Sequence, residues 1–227
     1  MTFWSDVNLT ALFVSVRIAV VSTLFCLAVG VPLAAILSSR RLRARSLFEG
    51  IITLPLVLPP TALGYFFLIS MGVRSPIGRA YHQLTGSNLV FSWQGVAVAV
   101  STVSLPLMVR TVQTAFQLVD HRILEAARLD GASAISCLWR IQLPMSLRAV
   151  AAGTSLAFAR SLGDFGVALM VGGNIPGADG THTMSLAVYD SVNLGDDHTA
   201  LMLVLVLSVL AFLFSVTASK FGSSRTT

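Results

Sequence analysis

The sequence predicts an all-helical membrane protein: a polytopic bundle of five transmembrane helices, with the N-terminus outside and the C-terminus inside. Three observations lead to this fold class. The 227 residues are 55% apolar and only 11% charged, with a mean hydropathy of +0.80, whereas soluble domains average about 25% charged residues. Five stretches are long and apolar enough to cross a bilayer, which takes about 20 residues each. Finally, the arginines are distributed unequally among the connecting loops.

The five apolar stretches follow one another along the chain and leave no room for a separate soluble domain, so residues 1–227 are expected to form one transmembrane domain. The first stretch is too long for a signal peptide and lacks its basic start, so it is expected to be retained as a helix. The predicted spans are Leu9–Leu37, Leu47–Met71, Gln94–Phe116, Leu147–Met170 and Ala200–Ala218.

The positions of the cationic residues predict the orientation, because cytoplasmic loops carry the excess of Lys and Arg. The segment between the second and third spans holds only Arg74 and Arg79, and none lies between Gly172 and Thr199. Segments Arg40–Ser46 and Arg122–Leu143 are therefore predicted to be cytoplasmic and Thr181–His198 external. Basic residues in or beside the predicted cytoplasmic segments are Arg40, Arg41, Arg43, Arg45, Arg110, Arg122, Arg128, Arg140, Arg148, Lys220 and Arg225.

The basic balance of the chain, with a pI near 10.0, is thus explained by topology and by attraction to anionic membrane lipid. No nucleic-acid partner is expected. The four histidines are scattered singly and the two cysteines lie far apart. No metal site, disulfide or cofactor is therefore expected.

A polar segment at residues 120–144 interrupts the apolar sequence between the third and fourth spans. Asp120 can cap a short helix over "HRILEAARL", and Gly131 can end that helix in a left-handed conformation. Ser133 can cap a second short helix, and Pro144 stands in the first turn of the next span. Ile123, Ala126 and Ala127 share one face of the first short helix. With little to cover this face within the chain, either a docking helix or a simple connecting loop fits the composition.

Two spans carry features that are costly in a membrane. Prolines are expected to kink the second span, at Pro55, Pro59 and Pro60, and the third, at Pro106. Arg160 and Asp164 lie four residues apart in the fourth span and face the same side. They are expected to form a structural ion pair, with a role for Arg160 in anion passage as the alternative. Arg17 in the first span has no acidic neighbour in sequence, so it is expected to reach the outer headgroups, with a place in the pathway as the alternative.

The external region after the fourth span contains a turn, "GGNIPG", at residues 172–177. Ser185–Asp190 is expected to form a short surface helix. The acidic residues around it are expected either to solvate the loop or to repel free anions: Asp179, Asp190, Asp196 and Asp197.

If this protein takes part in transport driven by ATP, another chain must bind and hydrolyse the ATP. A phosphate-binding loop needs a lysine that contacts the phosphates, and the only lysine here is Lys220, which follows Ser219. The chain is therefore not expected to be an enzyme, and no residue is predicted to be catalytic. An ion-coupled carrier remains open on this observation.

The spacing of the polar segment closely resembles the EAA loop of permeases from ATP-binding-cassette (ABC) importers, written E-A-A-x3-G-x9-I-x-L-P. Every defined position matches, and the matching residues are Glu125, Ala126, Ala127, Gly131, Ile141, Leu143 and Pro144. In that family the loop is a coupling helix that docks on a separate ATPase, which would explain why it is polar. Residues 30–42, 54–68, 159–177 and 183–195 resemble the molybdate permeases of this family. Asp164 is a departure, since Glu is more usual there.

The resemblance implies a type I importer fold, two copies forming the pathway, and a gate near Pro59–Gly64. It also implies a cytoplasmic ABC ATPase dimer, an external oxyanion-binding protein and a bacterial inner-membrane location. The expected substrate is molybdate. The alternatives are a permease for sulfate, tungstate or another oxyanion, a gradient-driven secondary carrier or channel, and a membrane scaffold without transport.

Overall fold

The computed structural model describes residues 6–39 and 44–223, and the regular structure within these ranges is helical. This confirms the predicted all-helical class. The helices are α1 (Asp6–Ser38), α2 (Arg45–Val57), α3 (Pro60–Met71), α4 (Pro76–Thr85), α5 (Trp93–Leu118), α6 (His121–Leu129), α7 (Ala134–Cys137), α8 (Leu143–Met145), α9 (Leu147–Leu162), α10 (Gly166–Gly172), α11 (Met184–Asn193) and α12 (Asp197–Ser223). Residues 40–43, which include three of the four arginines between the first two predicted spans, lie outside the described residues.

Three of the helices are long and apolar enough to cross a membrane by themselves: α1, α5 and α12. The other two predicted spans are each broken into two helices. The axes of α2 and α3 differ by 107°, and those of α9 and α10 differ by 57°. The described residues therefore contain three spans, or up to five if each bent pair is counted as one. The predicted kink in the second span is confirmed and is much sharper than a proline kink within a continuous helix.

The core of the bundle lies along α5, which packs against α1, α9, α10 and α2. One buried cluster joins α5 to the first half of α1 and to α3 and α10, through residues such as Val14, Val100 and Val167. A second joins α5 to the second half of α1, through Cys26 and Met108 among others. Buried hydroxyls link these helices where they approach closely: Ser22 donates to the Ala97 carbonyl, and Ser104 bonds Ser161.

The long helix α12 covers α9 on the outside of the bundle. Phe158 and Phe214 stack with their ring centroids 3.8 Å apart. Most of the apolar side chains described in α12 are exposed or half-buried, and only 11% of its most apolar window is buried. Such a surface suits contact with lipid chains, as expected for the last predicted span.

Proline has different effects at the predicted kink positions. Pro106 lies inside α5, which continues without interruption, and Pro55 lies inside α2. The break in the second span comes at Pro59 and Pro60, where Pro59 precedes α3 and Pro60 is its first residue. A proline is well accommodated at a first helical position, because its missing N–H has no helical partner there.

Candidate functional site

The two helix caps and the bend at Gly131 in the polar segment between α5 and α9 form as the sequence predicts. The Asp120 carboxylate accepts a hydrogen bond from the Arg122 amide at 2.9 Å and caps α6, and the Ser133 hydroxyl accepts one from the Ser136 amide at 3.1 Å and caps α7. Gly131 has φ +87°, and its amide donates to the Arg128 carbonyl. The Ala132 amide donates to the Ala127 carbonyl. These two bonds are the C-terminal motif that needs a left-handed residue after a helix.

The two short helices turn one face toward the bundle and expose the other. Leu124 and Cys137 are buried on the inner face. Glu125 and Ala126 are exposed, whereas Ala127 is half-buried. The exposed surface also carries large apolar side chains, which we call the loop apolar patch: Ile123, Leu129, Ile135 and Trp139. An exposed apolar patch surrounded by charged residues is typical of a protein-binding surface.

The last three positions of the motif lie where this segment joins α9. Ile141 is in a turn of π-helix at Leu138–Gln142, and Leu143 and Pro144 are in α8. Leu143 packs against the core cluster around Met108. The prediction that Pro144 stands in the first turn of the next span is wrong. Pro144 lies in α8, which ends at Met145, and α9 begins only after the buried Ser146. The segment is thus tied to both α5 and α9.

A cleft of about 1270 Å³ lies between this segment and the adjoining ends of α1 and α5. Its floor is mainly apolar, and Arg45, Asp120, His121 and Arg128 are among the residues at its edges. Leu124 of α6 and Cys137 of α7 line the cleft on the side of this segment.

The first break, between α2 and α3, leaves backbone groups without helical partners. The carbonyls of Pro55 and Leu56 would normally accept from the amides of residues 59 and 60, but both of these are prolines. Every residue from Leu56 to Ala62 is exposed in the isolated chain. Exposed irregular backbone is not found against lipid, so this surface must face another protein or water.

The second break, between α9 and α10, contains the predicted ion pair. Arg160 Nη1 lies 2.9 Å from Asp164 Oδ1. The two residues were predicted to lie on one continuous helix. Instead, α9 ends at Leu162, and Asp164 lies in the break that follows it. Its other carboxylate oxygen accepts from the Ala168 amide at 3.1 Å, in the first turn of α10. The Asp164 side chain is 1% exposed, so both of its oxygens are used inside the protein.

The two breaks lie next to each other because α3 crosses α10 at very short range. A Cβ atom added at Gly64 would lie 2.5 Å from Met170 Cβ, and one added at Gly166 would lie 2.8 Å from Pro60 Cβ. The structure thus brings Pro60 and Gly64 of the predicted gate together with the segment that holds Asp164. We call this contact of α3 with α10 the half-helix crossing.

Arg17 lies apart from these residues, at the other end of the bundle from the polar segment. Its guanidinium carbon lies 3.7 Å from the centre of the Trp93 ring, and Nη1 lies 3.2 Å from Asp179 Oδ1. An acidic partner is therefore present, although it is distant in sequence. Trp93 begins α5, and tryptophan is enriched at membrane interfaces. About 20 residues of α1 separate Arg17 from Leu37, which is about 30 Å of helix and matches the bilayer core.

The region between α10 and α12 is held by polar contacts. His182 Nδ1 bonds the Asn174 carboxamide oxygen at 2.6 Å, and Asn174 Nδ2 donates to Asp190 at 3.0 Å. Burial lowers the pKa of His182, and the nearby Asp190 carboxylate only partly offsets this effect. The expected short helix is confirmed as α11, Met184–Asn193. Asp179 and Asp190 both have partners, so these acids do more than solvate the loop.

Sequence reasoning missed a half-buried carboxylate in the first half of the second span. Glu49 accepts hydrogen bonds from Arg45 on its own helix and from Gln113 on α5, and it also pairs with Arg110. The signal was available, because Glu49 is the only acidic residue between Asp6 and Asp120. The helix α4 was missed as well. No group of three potential metal-binding side chains occurs within residues 6–39 and 44–223.

Comparison with known proteins gives a consistent result. Residues 27–221 match the family described as "Binding-protein-dependent transport system inner membrane component". The chain is 36% identical to the molybdenum transport system permease protein ModB of Haemophilus influenzae, over 94% of each chain. It is 34% identical to the protein of the same name from Escherichia coli K12, over 95% of this chain and 93% of the relative.

Solved structures with the same fold include permease-containing ABC transporters. A chain from inward-facing conformations of the MetNI methionine ABC transporter superposes with a TM-score of 0.76 at 16% identity, over 97% of both chains. A chain from a bacterial ABC transporter that imports the acidic polysaccharide alginate also gives 0.76 at 16% identity, over 99% of this chain and 82% of the other. At such identities these matches establish the fold alone.

Proposed function

Because the chain belongs to the family of binding-protein-dependent transport system inner membrane components, we propose that it is the permease subunit of an ABC importer for molybdate. As a member of this family it is a multi-pass protein of the inner membrane. The observation that carries the substrate is the similarity to molybdenum permeases over about the whole of both chains. Supporting it, the stretch 159–195 that resembles molybdate permeases contains the second break and α11.

Two copies of this chain are proposed to form the translocation pathway. The exposed backbone at Pro55 and Leu56 supports this, because unpaired carbonyls cannot face lipid. A second copy placed against α2 and α3 would cover part of this surface and leave the rest to a water-filled path between the copies. The half-helix crossing would then lie beside the path, where Pro59–Gly64 can act as the proposed gate. Arg160 is engaged with Asp164, which supports a structural role for this pair.

ATP hydrolysis is proposed to occur on a separate ATPase dimer that binds the coupling loop, residues 120–144. The loop apolar patch supports this, since Trp139, Ile135 and Leu129 are exposed although they are large and apolar. Aromatic anchors surrounded by other apolar groups commonly carry interface binding energy. Glu125, Ala126 and Ala127 would contact the partner beside this patch. The attachment of the loop to α5 and α9 offers a route from the ATPase to the broken spans.

We further propose that the polar segment is cytoplasmic and that the α10–α12 region is external, with five spans in all. The position of Arg17 and Trp93 at one end of a bilayer-length stretch supports this arrangement. The prediction is tested with single cysteines placed in a Cys26/Cys137-less background. A membrane-impermeant maleimide applied to intact cells is expected to label position 193 and to spare position 129. Labelling of position 129 alone would reverse the topology.

An external oxyanion-binding protein is proposed to dock on the side of α11. The hydrogen bonds among Asn174, His182 and Asp190 support this, because they fix the loop in one conformation before any partner arrives. Such preorganisation lowers the entropic cost of association. Delivery by a partner also fits the acidic character of this surface, which disfavours direct capture of free anions.

Gly131 provides a test of the coupling loop. Gly131→Val should greatly reduce ATP-dependent uptake, because a β-branched residue is strained at φ +87°. No other atom lies within 4 Å of a Cβ added there, so the isolated permease should still accumulate in the membrane. Gly131→Asn is the matched control, since asparagine tolerates the left-handed conformation. Uptake by the valine variant at the level of the asparagine variant would contradict the assignment.

The overall proposal is tested in proteoliposomes that contain the chain, its ATPase and its binding protein. Molybdate uptake is expected to require ATP, and tungstate should compete. If sulfate is taken up and excess molybdate does not inhibit this uptake, the substrate assignment is wrong and the importer assignment stands. Uptake that needs an ion gradient and no ATPase would establish a secondary carrier. Absence of both transport and ATPase binding would favour a scaffold.

A further inference from the structure

The cytoplasmic half of the second span, α2, is attached to the bundle in an unusual way. None of its residues is buried, and its apolar packing includes the partly buried Ile52 against the cluster around Met108. Its polar attachment is much stronger. The side chain of Glu49 is only 18% exposed, and it contacts three polar side chains from α2 and α5. We call this group the Glu49 clasp: Arg45, Glu49, Arg110 and Gln113.

The clasp connects α2 to α5 through the Glu49 carboxylate and connects α5 to α1 through Gln113. Arg45 Nε donates to Glu49 Oε1 at 2.8 Å within α2. Gln113 Nε2 donates to the same oxygen at 2.5 Å, and Arg110 Nη1 lies 3.5 Å from the other oxygen. Gln113 Nε2 also contacts the Leu37 carbonyl of α1 at 3.3 Å. Hydrogen bonds that involve a charged group are roughly twice as strong as neutral ones, so the carboxylate is the main link between α2 and α5.

The clasp also lies between the two regions that the proposed function requires to move together. Along α5, Gln113 is five residues from Leu118, which is about 8 Å of helix, and α6 begins three residues later. Along α2, Glu49 is eight residues from Val57, which is about 12 Å of helix. Val57 is the last residue of α2 and lies at the first break. Helices are rigid over such lengths. A shift of the end of α5 would therefore reach the break through Glu49.

We propose that Glu49 is a positioning residue that transmits motion of the coupling loop to the first broken span. This inference rests on the proposed function and assigns a part of it to a residue outside the EAA motif. While the clasp is closed, α2 follows α5. Without the carboxylate, α2 would keep little beyond weak apolar packing, and two adjacent guanidinium groups would repel each other. ATP hydrolysis could then proceed without a matching movement at the gate.

The variant Glu49→Gln tests this inference in the complete complex with ATPase and binding protein, because glutamine keeps the shape and removes the charge. The quantity to measure is the amount of molybdate imported per ATP hydrolysed. We expect this ratio to fall about five-fold or more, the lower range of coupling effects between sites. The rate of ATP hydrolysis without loaded binding protein should rise or stay unchanged. The lower ratio should therefore result from reduced molybdate uptake. Gly50→Ala, next to Glu49 on α2, is the control and should keep the ratio, because no atom outside the helix lies within 4 Å of a Cβ added there.

A second variant keeps the test decisive if Glu49→Gln does not fold. Arg110→Gln removes only the longer contact at 3.5 Å, from a side chain that is 48% exposed. It should lower the same ratio by a smaller factor, and the double variant should add little to Glu49→Gln, because both remove one interaction. A lower melting temperature with an unchanged ratio in Arg110→Gln would show a purely structural clasp and overturn the inference. Failure of the wild-type complex to import molybdate would instead overturn the proposed function.

Discussion

Gly64→Ala is expected to destabilise the permease and to abolish most of its uptake. In an ordinary helix this change is favourable by about 0.5–1 kcal/mol. At Gly64 the new Cβ would lie 2.5 Å from Met170 Cβ and 3.0 Å from Met170 Cγ, so α3 and α10 must move apart. Overpacking of this kind typically costs about 1–3 kcal/mol. Thermal unfolding in detergent, together with uptake in proteoliposomes, measures the two effects.

The same broken span offers a control for this prediction. Gly50 is also inside a helix, and no atom outside its own helix lies within 4 Å of a Cβ added there. Gly50→Ala should therefore keep the melting temperature or raise it, with uptake retained. Equal behaviour of the two alanine variants would show that the half-helix crossing is not closely packed in the working transporter.

Arg160→Ala is expected to have the largest effect on folding. It would leave the buried Asp164 carboxylate without its charged partner, and removing one member of a buried pair costs about 3–5 kcal/mol. The amount of protein in the membrane should fall sharply, as measured by fluorescence of a C-terminal fusion in size-exclusion chromatography. Normal yield with specific loss of uptake would instead favour a role for Arg160 in the anion pathway.

Asp164→Asn is the companion variant and should be milder. Its carboxamide oxygen can still accept from the Ala168 amide and cap α10, and the unpaired guanidinium of Arg160 is 29% exposed and can reach water. The double variant Arg160→Ala/Asp164→Asn should recover much of the yield lost in Arg160→Ala, because no buried charge remains. If it does not, the guanidinium is needed for more than neutralising Asp164.

Local signals in the sequence were sufficient for most of the coupling loop. Asp120, Gly131 and Ser133 each act within a few residues of their own position, so capping and left-handed geometry could be predicted without knowing the fold. The apolar stretches likewise located the helices and bent helix pairs that are long and apolar enough to span a membrane. Their length could not show that two of them are broken, because a run of apolar residues remains apolar whether its helix bends or not.

The contacts between distant residues were not predictable in this way. Glu49 contacts Gln113 only because α2 lies across α5. Arg17 pairs with Asp179, which is 162 residues away in sequence. Asp164 was correctly paired with Arg160, yet its second role as a cap for α10 depends on the end of α9 at Leu162. Gly64 was associated with a gate from resemblance, whereas its close contact with Met170 is visible only in the packed structure.

The half-helix crossing has a consequence for how the protein is made. With 13 and 12 residues, α2 and α3 are each too short to cross a bilayer alone. The partner of α3 is α10, which is synthesised about 100 residues later and so reaches the ribosome exit roughly 5–20 seconds afterwards at usual elongation rates. During this interval the nascent second span must be held by the insertion machinery or by α5. Biogenesis of this permease is therefore expected to be sensitive to translation pauses between α3 and α10.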